Sequence, residues 1–236
     1  MRILQSDIDN YNSDSLREHN KKFSYSLDTV NRTEEIIAQL TRFQVAIPSW
    51  ALGAGGTRFG RFSIGGEPAN LEQKIEDVGL IHKLNQSSGA ISLHIPWDIT
   101  TDAAHIKSLA QDHGLLFDAM NSNTFQDQQN QQHSYKYGSL QHVDKSVRKQ
   151  AIIHNMDVIK HGIDLGSKSL TVWLADGSCF PGQLNFRKAY QNTLESLEEI
   201  YDALPSNWKL FLEYKCPVTA TIISFGLFGL ISIFPM

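Results

Sequence analysis

Apolar residues in this chain gather in five short runs, at 44–50, 90–97, 115–123, 169–177 and 209–215. Each has the length and composition of a strand. Between them the apolar positions recur every three or four residues instead. Residues 71–84 set Leu71, Ile75, Val78 and Ile81 on one helical face, and 103–114 closes at Gly114, a residue suited to end a helix in the left-handed conformation. A third helical pattern starts at Asp144, a capping residue, and runs to about Gly166. A fourth starts at Phe186 and stops before Pro205. Strands alternating with helices at this spacing predict βα units around a parallel sheet, the α/β class.

The first 43 residues read as a polar helical extension. Ser6 or Asp7 can cap a helix to about Leu27, and Asn31 a second in which Ile36, Ile37 and Leu40 form an apolar stripe. A packing extension on a larger domain is preferred to a partner-binding helix.

Composition narrows the function. A chain of 236 residues suffices for one sizeable domain, and 41% hydrophobic with 19% charged residues excludes a disordered one. A net charge of −4 offers no general attraction for nucleic acid. Cys179 and Cys216 are too few for a disulfide framework. The opening residues lack the apolar core of a secretory signal, so the cytoplasm is the expected compartment. Two motifs fail on inspection. The glycine-rich stretch at 53–62 carries Arg58 where a dinucleotide fingerprint wants Gly or Ala, and Arg61-Phe62 where a phosphate loop wants Lys-Ser/Thr. The long loop at 121–143 is Gln-rich and polar, and reads equally as a solvated connection or a functional one.

Chemistry-bearing residues collect where the strands end. Trp50 ends the first run and His94, Trp97 and Asp98 the second. Asn121 and Asn123 end the third, Trp173 and Asp176 the fourth, and Glu213 and Lys215 the fifth. Barrels and open doubly wound sheets both place ligands at that end of the strands, so this pattern leaves the architecture open. His94, Trp50 and Trp173 each have a bland reading as core residues. Glu213 and Lys215 are harder to dismiss. Two apart on a strand, they share a face, and charges on a buried strand are costly unless paired or bound to a metal. A carboxylate offers hard oxygen ligation for Mn²⁺ or Mg²⁺.

The strings FQVAIPSWALGAGGTRFGRF, SLHIPWD, GLLFDAMNSNTF, HSYKYGSL, GSKSLTVWLADGS and WKLFLEYK resemble the bacterial L-rhamnose isomerases, in their broad-specificity branch within the xylose-isomerase-like barrels. The resemblance runs from about residue 5 to Lys215. It implies a (β/α)₈ barrel, here its N-terminal five βα units over 44–215 behind the extension 1–43. It also implies a Mn²⁺-dependent aldose–ketose isomerase, converting L-rhamnose and related monosaccharides in a cytoplasmic homo-oligomer. By that resemblance Glu213 is a metal ligand, Lys215 and His94 are catalytic groups at the substrate, and Trp50, Trp173 and Phe125 are walls of the sugar pocket.

The resemblance stops after the fifth strand. All 21 Lys and Arg and all 25 Asp and Glu lie upstream of Cys216, and 216–236 is an apolar tail outside the family pattern. A frameshift or truncation after Lys215 is the favoured cause, a membrane anchor or an alternative packing element the others. The expectation is an incomplete barrel lacking the remaining Asp and His ligands, and an inactive fragment of an isomerase. The alternatives are a non-catalytic sugar-binding module and a membrane-tethered protein. Missing strands would also leave the edges of the first and fifth strands unpaired, and Ile91, Leu93, Leu170 or Val172 partly unburied.

Overall fold

The computed structural model describes residues 4–27, 33–53, 65–174 and 184–214. The glycine-rich stretch beyond residue 53, Lys215 and the apolar tail lie outside these residues. Helix starts follow the sequence. Asn70 caps α3 (Leu71–Asn85) by accepting the Gln73 N–H at 2.9 Å, and Asp144 caps α5 (Lys145–Leu165) by accepting the Ser146 N–H at 2.8 Å. Gly166 ends α5 at φ +91°, with its N–H on the Gly162 carbonyl at 2.9 Å. Helix α4 (Ala103–Asp112) is followed by Gly114 at φ +70°, and α6 (Phe186–Asp202) is capped by Asn185.

Among the described residues all strand pairs are parallel. β1 (Ala46–Pro48) pairs with β2 (Ala90–Ser92), and β2 with β4 (Leu116–Phe117). β3 (His94–Ile95) pairs with β5 (Met120–Ser122), β5 with β6 (Ser169–Leu174), and β6 with β7 (Lys209–Tyr214). The expected second and third strands are therefore each broken in two. The ladder shows why. Asp118 N–H bonds Ile91 O and Asn121 N–H bonds Leu93 O, so the third strand spends one more residue than the second over the same stretch. That is a β-bulge, which bends the strand without ending the sheet. The described residues thus form five parallel strands in chain order, the βα arrangement of part of a barrel.

The two faces of this sheet differ. Met120, Leu170 and Leu210 are in register, and a Cβ placed on Gly162 of α5 would lie 2.7 Å from Met120 Cγ, so this face meets the helices. Val172 and Leu212 follow on the same face. Ile91, Leu93, Leu170 and Val172 are all fully buried, which corrects the expectation that absent strands would uncover them. They pack under helices already present. Half-buried residues fall instead on the other face, at Asn121, Thr171, Trp173, Phe211 and Glu213.

In the extension, α1 (Gln5–Leu27) starts one residue before the expected cap and packs on α3, burying Ile8. The stripe of α2 (Thr33–Thr41) stands open, with Ile36, Ile37 and Leu40 all exposed. Among the described residues no helix is long and apolar enough to cross a membrane.

Candidate functional site

β1 passes at Pro48 into one 3₁₀ turn, Ser49–Ala51, which sets Trp50 above the strand ends. β3 ends at Ile95 and a tight turn follows, putting Trp97 next to His94. Beyond β5, Asn123 holds its own turn by donating Nδ2–H to Gln126 O at 3.2 Å, and Phe125 projects from that turn. The three turns converge on one imidazole. The His94 ring lies 5.1 Å from Trp50, 4.6 Å from Trp97 and 5.6 Å from Phe125, centroid to centroid. Trp173, at the end of β6, meets Phe125 at 4.4 Å edge to face and extends the wall. Edge-to-face packing matches the positive rim of one ring to the negative face of the next. The structure thus brings Trp50, His94, Phe125 and Trp173 into a single cluster.

His94 is 7% exposed, and neither ring nitrogen makes a hydrogen bond of normal geometry. Burial pushes its pKa down to about 4, with the Asp98 charge opposing, His154 adding, the Ser122 backbone opposing and Lys74 adding. The imidazole is therefore neutral at pH 7 and stands among the rings of an aromatic box. His154 of α5 buttresses the site from the helix layer. Its Nε2 lies 3.1 Å from the Asn123 N–H, and burial lowers its pKa as well.

Beneath the box sits a buried carboxylate. Asp98, 2% exposed, accepts from Lys74 Nζ at 2.7 Å, from the His94 N–H at 2.8 Å and from Ser49 Oγ–H. Three residues missed by the sequence reading of the site are Lys74, Ser49 and His154. Lys74 had a signal: it falls between Leu71 and Val78 on the apolar face of α3, where an ammonium needs a partner.

Glu213 stands in register with Trp173 on the inner face and is half-buried. Lys215 lies outside the described residues. Among the described residues no three His, Cys, Asp or Glu side chains gather as a metal site.

The chain is 50% identical over 182 residues to a probable sugar isomerase of Rhizobium meliloti, covering 77% of this chain and 42% of that protein. It is 51% identical over 182 residues, with the same coverage, to a probable sugar isomerase of Mesorhizobium japonicum. By sequence, the chain is a relative of these probable sugar isomerases. It spans 42% of their length. The fold has a solved counterpart in a D-allulose 3-epimerase from Methylomonas sp., with a TM-score of 0.50 at 13% identity, covering 73% of this chain and 51% of that one. At that identity the likeness speaks to the barrel-type α/β fold alone. No family model matches the chain. For a sugar isomerase relative, the strand ends are the place to look for the site, and the aromatic cluster occupies them.

Proposed function

We propose that the chain carries the sugar-binding part of an aldose–ketose isomerase of the L-rhamnose isomerase type, taking L-rhamnose, L-rhamnulose and related monosaccharides. One observation carries the reading. A buried, neutral histidine is enclosed by three aromatic rings at the strand ends. The rings suit the C–H faces of a sugar, and the imidazole suits a hydroxyl, to which it can donate or from which it can accept a proton. Kinship to probable sugar isomerases supports the same substrate class. Lys215 is assigned a contact with the substrate, on the resemblance alone. A cytoplasmic homo-oligomer is the setting this reading carries with it.

Mn²⁺ belongs to the reading only through Glu213. A divalent ion of this kind takes about six oxygen or nitrogen ligands, and the described residues offer no group of three candidate side chains. They do not fit a complete metal site, so the remaining ligands are assigned to sequence beyond them. The interconversion moves a hydrogen between C1 and C2, and this chain alone is expected to bind sugar without completing that transfer.

Tryptophan fluorescence titrated with L-rhamnose and L-rhamnulose tests this directly. A saturable response, lost in Trp173→Ala and unaccompanied by ketose formation with Mn²⁺ present, is the expected result. The absence of any sugar response would overturn the sugar reading. Turnover by the 236-residue chain would overturn the assignment of ligands elsewhere.

A further inference from the structure

We propose that Asp98, paired with Lys74, is a positioning residue that fixes the β1–β3 side of the aromatic box. Its two carboxylate oxygens divide the work. Oδ1 takes the Lys74 ammonium of α3 at 2.7 Å, while Oδ2 takes the His94 N–H at 2.8 Å and the Ser49 hydroxyl. The Asp98 N–H in turn donates to His94 O at 3.0 Å, so one residue grips both backbone polar groups of His94. Ser49 precedes Trp50, and Trp97 precedes Asp98. The carboxylate is thereby one bond pattern away from all three groups that face each other in the box.

A single charged group serves this purpose better than separate hydrogen bonds. Charge-assisted bonds are shorter and stronger than neutral ones, and three donors from three elements converge on one carboxylate. Burial sharpens the demand. Lys74 is 9% exposed and Asp98 2% exposed, so removing the ammonium leaves a carboxylate with no water to replace it. The expected response is a local rearrangement of the turns at 49–51 and 96–98, which carry Trp50 and Trp97. This inference rests on the sugar reading only for what the box does, not for how the box is held.

The four tryptophans supply the test. Trp50, Trp97 and Trp173 belong to the box, while Trp208 packs on the helix side, where a Cβ on Gly162 would come within 2.5 Å of its ring. In ¹⁹F NMR of the chain labelled with fluorotryptophan, Lys74→Met should displace the Trp50 and Trp97 resonances and leave Trp208 in place. Lys74→Arg, which keeps the charge, should restore them. A merely structural ion pair would move all four signals together or none. Unmoved Trp50 and Trp97 in a folded Lys74→Met chain would overturn the proposal, as would failure of Lys74→Arg to restore them. If Lys74→Met does not fold, Ser49→Ala keeps the ion pair and should still displace Trp50; an unmoved Trp50 there counts against it equally. Displaced resonances in a chain whose wild type ignores every sugar would sink the proposed function and leave the positioning role standing.

Discussion

Trp173 and Glu213 are register partners on adjacent parallel strands, so an aromatic wall and a carboxylate stand side by side on the inner face of the sheet. The carboxylate stands there without two further candidate ligands among the described residues. Isothermal titration with Mn²⁺ should therefore show no micromolar binding by this chain, and Glu213→Gln should change nothing at that concentration. Micromolar binding abolished by Glu213→Gln would refute this and show a site completed from outside the described residues.

His94 makes the site's stability depend on pH in a definite direction. Burial holds its folded pKa at about 4, against 6.5 for an open histidine. Between these values the unfolded chain binds the extra proton and the folded chain does not, so stability rises with pH across that window. Above about pH 6.5 the contribution is fully present, and it is lost as pH falls towards 4. The size is on the order of 3 kcal/mol. Asp98, His154 and Lys74 face this ring electrostatically, and the lowered pKa of His154 acts in the same direction. Urea midpoints at pH 7 and pH 4.5 should differ for the wild type, and the difference should shrink in His94→Phe. An equal difference in the variant would mean that other groups carry the effect.

Much of this was legible in the sequence, and the failures have physical causes. The capping residues Asp144, Gly114 and Gly166 mark their helices because caps and left-handed stops are local chemistry. His94 and the tryptophans fell at strand ends that parallel topology must bring together. The bulge was not legible, since the extra residue at 118–121 appears only when two strands are laid in register. The burial of Leu170 and Val172 was misjudged for a related reason. Alternation along a strand says that two faces differ, but not which face meets the helices. The Lys74–Asp98 pair, 24 positions apart, needed the fold to bring helix and turn together.

Gly162 records how closely α5 approaches the sheet. A methyl group there would meet the Trp208 ring at 2.5 Å and Met120 Cγ at 2.7 Å. Neither neighbour is free to give way, because Met120 is fully buried and Trp208 packs against the same core. Gly162→Ala should gain about 1 kcal/mol in helix propensity and lose about 1–3 kcal/mol to overpacking, a net destabilisation of up to about 2 kcal/mol. A lowered urea midpoint with unchanged steepness is the expected record. A stabilised variant would mean that helix and sheet are less tightly apposed than these distances indicate.

Among the described residues β7 has a single neighbour, β6, and β1 has only β2. The two edges are unequal hazards. β1 is three residues long and ends in Pro48, which has no N–H to offer. β7 runs for six residues, and Phe211 at its centre is half-buried on the inner face. A long edge with apolar side chains invites pairing with another copy, and a charge placed there opposes it. Sedimentation velocity over a range of concentrations should therefore show self-association of the chain. Phe211→Lys, which sets an ammonium in the middle of the edge, should shift the distribution towards monomer. A wild-type chain that stays monomeric at every concentration would show that β7 is covered, with residues 215–236 as the segment to truncate next.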